Sequence, residues 1–405
     1  MVRLEIQSFF QIDSFPGRNG FLTVKRVKHS HTRFQRSLKA ATRYLFSVVL
    51  PIFLFPLILF LVLAPWLGAG EFQVPLGSSF KPAAWLRWDS FHYLSIAKYG
   101  YSAESCGQFI CGNTGWFPLY PLIIRAFEKL GLSIAWAALI VTVSSMLVAS
   151  EILSRLIQRR WSSVSVAAAF ILLPGGVYHV ASFPVSLTTA LDLSAIWLFL
   201  HSFLGVSAIS AFLAAFAYPS SAILSVALTT FVFRRNVLQR LRLPVLRMLP
   251  VAAPLLGYFA ARAWIDHASG IASAYSLTQA RYGHSWGLGF TVLRSSIRYF
   301  WKNPVFFQTA TVFLLMILAS IIIFTHLSAQ NAPLSLCFLI MGWSWWMLPH
   351  LIGDSVSIYR QEALLAPMFV MAGSHLPRNV ILVVSVPLIG LAVVMAKMFF
   401  TGELV

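Results

Sequence analysis

The acidic residue Asp89 stands among bases and aromatic rings in residues 85–121. Arg87 and His92 lie within a few positions of it, whereas most of the chain is apolar. A carboxylate held partly out of water beside a hydroxyl group is suited to general-base catalysis. Such an acid among aromatic and basic side chains is what a site for sugars or phosphates needs. Asp is also a favoured N-cap, and a short helix is predicted directly after it, so composition leaves the catalytic and the capping role equally open.

The composition predicts an all-α polytopic membrane protein. The chain has 405 residues, of which 58% are hydrophobic and 10% are charged, and its mean hydropathy is +0.77. A soluble domain would carry about 25% charged residues. Continuous apolar runs of about 20 residues indicate membrane helices rather than the alternating strands of a β-barrel. At a rise of about 1.5 Å per residue, we expect about nine to eleven spans.

The charge is strongly basic, with a formal net value of +18. Nine of the Lys and Arg residues lie in residues 1–43, and further clusters lie at 155–160 and 234–247. Each cluster flanks an apolar run, as the positive-inside bias and contact with anionic lipid headgroups require, so nucleic acid is not the expected partner. We therefore divide the chain into a basic cytoplasmic arm, 1–43, and a membrane domain, 44–405.

The flanking charges also orient the predicted spans. A first span at 44–67 runs outward, which places two long loops, 68–133 and 266–303, on the outer face. The first outer loop contains a predicted amphipathic helix over residues 90–99, suited to the membrane interface. Further spans are predicted at 134–156, 164–182, 184–203, 248–265, 304–327, 333–352, 361–374 and 380–400.

Residues 206–233 do not fit a single crossing. The run is long for one span and ends at arginines that should lie inside. A broken or re-entrant hairpin at Tyr218 and Pro219 returns both of its ends to the inner face and preserves the charge bias. Such a break requires irregular backbone that is buried or lines a cavity.

Several further polar residues have two readings. Asp192 lies inside a span, where it is either functional or bonded to a neighbouring helix. Arg360 is either a phosphate clamp or an interface anchor. Gln279, Tyr282 and His284 either bind hydroxyl groups or decorate the second outer loop.

The cysteines and glycines carry no strong motif. Cys106 and Cys111 form a disulfide only if their loop meets an oxidising compartment, which the sequence leaves open. No cluster has the spacing of a metal site, and no Walker loop, dinucleotide fingerprint or nucleophile elbow occurs in the sequence. We therefore predict neither a metal nor a cofactor.

The first outer loop resembles the PIG-V family of GPI mannosyltransferase 2 type, including its bacterial relatives. The residues that carry the resemblance are Trp88-Asp89-Ser90-Phe91-His92-Tyr93, Ala97-Lys98-Tyr99-Gly100-Tyr101 and Phe117-Pro118-Leu119-Tyr120-Pro121. Two looser matches lie further along the chain. Gln279–His284 is similar to the family's Gln-Ala-x-Trp-Gly-Arg segment, and Arg360 with Pro367 is similar to its Arg-Tyr-x-x-x-x-Phe-Pro segment.

This resemblance implies a GT-C-type helical bundle with its catalytic Asp on the first outer loop. It implies an inverting transfer of a sugar, usually mannose, from a polyprenyl- or dolichyl-phosphate donor to a lipid or glycolipid acceptor. Asp89 matches the family's expected catalytic base. The expected substrate-binding residues are Arg87, His92, Tyr101, Gln279, Tyr282, His284 and Arg360.

Two positions depart from the family pattern. Val185 stands where a Glu is usual, and Tyr218 stands where an Arg is usual. A catalytically inactive relative and a transporter or flippase for a lipid-linked or polar solute therefore remain alternatives to the active enzyme. No Asn-x-Ser/Thr sequon occurs and the outer loops are compact, which favours a bacterial cytoplasmic membrane over the ER membrane.

Overall fold

A computed structural model describes residues 85–107, 109–232, 244–284, 294, 297–298, 301–302, 304–328, 331–352 and 358–401. All of them belong to one compact unit, Val48–Val405. The predicted basic arm, the predicted first span at 44–67, the arginines at 234–242 and residues 285–293 of the second outer loop lie outside the described residues.

The described chain is mostly helical, with one small antiparallel hairpin. Strands β1 (Ala103–Cys106) and β2 (Phe109–Gly112) form the hairpin, which a Cys106–Cys111 disulfide closes. The helices are α1 (Ser90–Tyr99), α2 (Leu119–Lys129), α3 (Ile134–Leu156), α4 (Ser163–Leu172), α5 (Val185–Leu200), α6 (Leu204–Ala217), α7 (Leu224–Val232), α8 (Pro244–Ser269), α9 (Ala274–Arg281), α10 (Pro304–Thr325), α11 (Ala332–Ile352), α12 (Ile358–Leu364), α13 (Ala366–Gly373) and α14 (Arg378–Thr401).

Five of the described helices are long and apolar enough to cross a membrane. They comprise α3, most of α8 and α10, and the whole of α11 and α14. The multi-pass helical membrane protein that the composition predicts is thus supported by helix length and apolarity. The predicted 134–156 span and the predicted 90–99 helix coincide with α3 and α1.

The helices alternate between two ends of the bundle. At one end, here called the basic end, the loops after α3 and α5 meet the residues before α11 and after α13 around one cavity. At the opposite end, here called the site end, residues 89–93, 218–223, 275–284 and 348–361 line another cavity. This alternation is the pattern that successive crossings of a bilayer would produce.

The segment from α6 to α7 is a broken hairpin, as predicted. The two helices are separated by a 3₁₀ turn at Pro219–Ile223. Phe231, near the end of α7, has its ring 5.5 Å from that of Phe199, which lies just before α6 begins. Both ends of the hairpin therefore lie at the basic end, while its tip contributes Tyr218 and Ser220 to the site-end cavity.

Two predicted spans are not continuous helices. The prediction of one helix across 164–182 is wrong, because α4 ends at Leu172 and a separate 3₁₀ turn follows at Gly176–His179. Pro174 cannot donate a backbone hydrogen bond, and Gly175 has a left-handed φ of 75°. The predicted 361–374 span is likewise two helices, α12 and α13, with a proline in the first turn of the second.

Close packing of α8 against α6 depends on Gly257. A Cβ atom at this position would collide with the backbone carbonyl of Phe212 in α6. We expect Gly257→Val to lower stability by about 2 kcal/mol, because backbone cannot move aside as a side chain can. Gly390→Val, at a glycine with open space around its Cβ position, is the control. Thermal unfolding in detergent measures both, and equal melting temperatures would contradict this packing.

Candidate functional site

The site end contains a cavity of about 570 Å³. Five of the predicted site residues line it, namely Asp89, Gln279, Tyr282, His284 and Arg360. They come from the N-cap of α1, from α9 and the turn that follows it, and from α12, which lie far apart in the sequence. Binding sites for small ligands commonly enclose about 300–1,000 Å³, so the cavity has the size of such a site.

An ion pair between Asp89 and Arg360 occupies one wall of this cavity. Arg360 Nη1 donates a hydrogen bond to Asp89 Oδ2, across 271 positions of sequence. The Asp89 side chain is only 20% exposed and the Arg360 side chain 11%, so water screens the pair weakly. The guanidinium also lies over the ring of Phe183, 5.9 Å from its centroid. The pair thus combines a negative and a positive group at the edge of one cavity.

The backbone before α1 directs Asp89 into the cavity. Asp89 occupies the N-cap position, yet its side chain makes no capping hydrogen bond. The preceding residue, Trp88, has a left-handed φ of 52°, a conformation that costs a non-glycine residue roughly 1–2 kcal/mol. Of the two roles left open by sequence, the structure therefore does not use the Asp89 carboxylate as a cap.

Contacts around α12 hold Arg360 in place. Gly175 approaches the backbone of Tyr359 and Ala363 so closely that a Cβ atom would collide with both. The ring of buried His179 contacts the same helix, with Nε2 lying 2.9 Å from the Ala363 carbonyl oxygen. His179 is thus a structural histidine that packs against α12.

Gln361 ties α12 to the tip of the broken hairpin. Its Oε1 accepts a hydrogen bond from Ser220 Oγ at 2.9 Å, and its Nε2 donates to the Tyr218 hydroxyl at 3.3 Å. Trp345 Nε1 donates to the Ser220 carbonyl oxygen at 3.0 Å. Deeper in the bundle, Ser221 Oγ donates to Asp192 Oδ2 at 2.9 Å. Asp192 therefore makes the bond to a neighbouring segment that was one of its two predicted roles.

Trp116 forms an aromatic wall of the cavity and is held by two predicted site residues. The imidazole of His92 stacks on its indole, with ring centroids 3.6 Å apart. The Tyr101 hydroxyl donates to the Trp116 carbonyl oxygen at 2.8 Å. Neither His92 nor Tyr101 is among the described lining residues, so both support the wall rather than form it.

Residues of α9 and its C-terminal turn form a polar edge. Gln279 Nε2 donates to the Gly115 carbonyl oxygen at 3.0 Å, and its Oε1 contacts His284 Nδ1. The ring of Tyr282 meets Trp116 edge-to-face, with centroids 6.1 Å apart. These contacts join the second outer loop to the first at the cavity.

Arg262 is a lining residue that the sequence interpretation missed. Its guanidinium lies 5.8 Å from the ring centroids of both Tyr258 and Tyr275, and Nη2 donates to Ser276 Oγ at 2.6 Å. An ionisable residue within an apolar span is a functional candidate by default, so the signal was present in the sequence. The cavity thus contains two arginines on separate helices.

Buried Glu362, next to Gln361, was also missed. It is 1% exposed and accepts a hydrogen bond from Gln308 Nε2. It is not among the described residues that line the cavity. Glu362 lies in the predicted 361–374 span, so the signal that applies to Arg262 was present for it too. Its partner on α10 depends on tertiary packing, which a sequence pattern does not reveal.

Arg87 and Val185 lie outside the described lining of the cavity, whereas Tyr218 belongs to it. Arg87 is 2% exposed, and its Nη2 donates to the Phe400 carbonyl oxygen at 2.6 Å, away from the described cavity lining. Val185 is fully buried in the core at the start of α5. Tyr218 does line the cavity, where its hydroxyl replaces the expected arginine as the polar group.

Comparisons of the chain with protein-family models, curated proteins and solved structures gave no match. The functional interpretation therefore depends on the chemistry of this cavity.

The buried stack of His92 predicts a pH-dependent stability. Burial lowers the pKa of His92, Asp89 partly opposes this, and Arg281 and Arg360 lower it further. The unfolded chain takes up a proton at a pKa of about 6.5, while the folded protein keeps the ring neutral to lower pH. Stability should therefore fall as the pH drops below about 6.5 towards the lowered folded-state pKa.

His92→Phe preserves a stacking ring but removes the titration, so it should lessen this loss of stability. Melting temperatures between pH 7.5 and 5 would measure the change against wild type. His201→Phe, at an exposed helix end, serves as the control. The same pH profile in wild type and His92→Phe would contradict the proposed contribution.

Proposed function

We propose that this protein is a GT-C-type membrane glycosyltransferase that moves a sugar, in the first instance mannose, from a polyprenyl-phosphate donor to a lipid or glycolipid acceptor. The observation that carries the proposal is the Asp89–Arg360 pair at the wall of the site-end cavity. It combines a base for a hydroxyl group with a cation for a phosphate. The similarity of residues 88–121 to the PIG-V family supports the same assignment.

In the proposed reaction, the acceptor hydroxyl oxygen attacks the anomeric carbon of the donor sugar. Asp89 takes the hydroxyl proton as the new C–O bond forms. The bond between the anomeric carbon and the phosphate oxygen breaks, and its electron pair leaves with the lipid phosphate. One displacement inverts the anomeric centre and requires neither a nucleotide nor a metal.

Arg360 suits the leaving phosphate because a guanidinium carries five N–H donors. Arg360 Nη1 donates to Asp89, and the planar guanidinium matches a phosphate as well as a carboxylate. Arg360 would thus stabilise the negative charge that develops on the phosphate. Arg262 adds a second positive charge to the same cavity.

The other lining residues suit a sugar attached to a lipid. Trp116 and Tyr282 provide aromatic faces, and Gln279 and His284 provide hydrogen-bonding groups. Leu348 and Ile352 of α11 give the cavity an apolar side, where the first part of a polyprenyl chain would lie. The retained Asp89, His92 and Arg360 favour activity despite the changes at Val185 and Tyr218.

Transport of a lipid-linked or polar solute is the second candidate. Buried Asp192 supports it, since its Oδ1 has no hydrogen-bond partner among the described residues. Against it, the site-end cavity and the basic-end cavity share none of their described lining residues. A cavity open at one end is what a transferase needs, so the enzyme is favoured. A bacterial cytoplasmic membrane is the proposed location, with the ER membrane as the alternative.

Asp89→Asn should lower sugar transfer by about 10²- to 10⁴-fold, the usual contribution of a general base. The assay combines purified protein, labelled polyprenyl-phosphate mannose and a membrane-lipid extract as acceptor source. Glu104→Gln, which removes an exposed acid from β1, is the control and should keep full activity. Undiminished transfer by a folded Asp89→Asn protein would exclude Asp89 as the base, and no transfer by wild type would favour transport or a non-catalytic role.

Arg360→Lys should chiefly weaken donor binding. The ammonium keeps the charge but cannot hold a carboxylate and a phosphate in one planar fork. We expect the KM for the donor to rise by about tenfold, equivalent to roughly 1.4 kcal/mol. Steady-state kinetics with the same labelled donor would show the change, with Arg281→Lys, at a residue outside the described lining, as the control. An unchanged KM for the donor in Arg360→Lys would exclude Arg360 as a ligand of the donor phosphate.

A further inference from the structure

The basic end of the bundle contains a second cavity, of about 460 Å³, that the proposed reaction does not use. Arg160 and Arg247 line it together with His375, Ser328 and Asn331. None of its described lining residues is acidic. This cavity therefore offers positive charge and neutral hydrogen-bonding groups to a ligand, which is the chemistry that a phosphate requires.

The charge of Arg160 is not neutralised by an acid of the described chain. Its Nη1 lies 2.8 Å from His375 Nδ1 and 3.5 Å from the Ser374 carbonyl oxygen, and both partners are neutral acceptors. The nearby acid Glu151 is instead bonded to Arg155 and Arg159, at 2.7 and 2.8 Å. Glu151 thus pairs with one arginine of α3 and one of the loop that follows, whereas Arg160 of that loop lines the cavity.

An apolar groove of about 930 Å³ begins at the same point. It runs between α4, α10, α13 and α14, and its walls are mostly aliphatic side chains such as Leu172, Leu318 and Leu388. Arg160 and Ser374 line both the groove and the cavity, and Arg378 adds another positive charge to the groove. A cationic cavity is therefore continuous with an apolar groove between membrane-type helices.

We infer that the basic end binds one anionic phospholipid, with its phosphate in the cavity at Arg160 and Arg247 and an acyl chain in the groove. The positive charge of the cavity favours an anionic headgroup. Because Arg160 and Ser374 line both the cavity and the groove, one lipid molecule can place its headgroup in the first and its acyl chain in the second. Basic pockets between membrane helices on the cytoplasmic side bind such headgroups, and the positive-inside bias assigns this end to the cytoplasm. The site is separate from the proposed transferase cavity.

The test uses the full chain in phosphatidylcholine nanodiscs. Phosphatidylglycerol, inorganic phosphate and additional phosphatidylcholine are titrated separately, and bound lipid is counted by native mass spectrometry. We expect one phosphatidylglycerol to be retained. Arg160→Gln should weaken its binding by about tenfold, whereas Arg155→Gln, at the Glu151-bonded arginine, should leave it unchanged. Melting temperatures in pure phosphatidylcholine check that both variants fold.

A second pair of variants tests the groove. Ser385 of α14 lines it, whereas Val383 on the same helix is 73% exposed and does not. Ser385→Trp should weaken the binding of phosphatidylglycerol but not that of inorganic phosphate. Val383→Trp should leave the binding of both unchanged. Equal retention of phosphatidylglycerol by wild type and Arg160→Gln would overturn the proposal. Inorganic phosphate that binds as tightly as the lipid would also overturn it, since the occupant of the cavity would then be a soluble phosphate. So would unchanged phosphatidylglycerol binding by Ser385→Trp, since the groove would then hold another segment such as 44–67.

Discussion

The ion pair between Asp89 and Arg360 is the constraint on which the site-end architecture depends. Moving two charges out of water costs several kcal/mol per ion unless each faces its partner in good geometry. With both side chains mostly buried, an error in the position of either backbone would leave an isolated charge. The start of α1 and the start of α12 must therefore be placed relative to each other before the cavity can form.

The surrounding contacts fulfil this requirement from several directions. Gly175 and His179 fix the backbone of α12 on one side, and Gln361 joins it to the hairpin tip on the other. At the opposite partner, Trp88 adopts a left-handed conformation that only a well-packed environment can impose. Backbone strain before Asp89 and close backbone packing around Arg360 therefore serve the same pair.

The sequence predicted those features that local pattern and charge determine. Helix α3 is recognisable because of its apolar run from Ile134. The residue before it, Ser133, is the N-cap, and its hydroxyl accepts a hydrogen bond from the Trp136 backbone N–H at 3.4 Å. The broken hairpin at Tyr218 follows from the positive-inside bias. Asp89 was identifiable as a candidate because acids are scarce in this chain.

Features that depend on tertiary packing could not be predicted in this way. Arg87 has the charge of a phosphate ligand, but its backbone-carbonyl partner at Phe400 lies 313 positions away. Glu362 resembles any acid near a span end until α10 packs beside it. The pairing of Asp89 with Arg360 likewise joins two distant segments, and no periodicity in either segment indicates the other.

The irregular backbone of the bundle explains why the cavity is at the site end. A helix within a membrane satisfies its own backbone groups, whereas a break exposes groups that must be buried in protein or face a cavity. The breaks at Pro174, Pro184, Pro219 and Pro367 introduce 3₁₀ turns or helix starts around α12 and the hairpin tip. At the hairpin tip, Ser220 Oγ donates to Gln361 Oε1, and the Ser220 carbonyl oxygen accepts from Trp345 Nε1. Of these prolines, Pro219 interrupts the predicted 206–233 run and itself lines the cavity, while Asp89 and Arg360 give the cavity its chemistry.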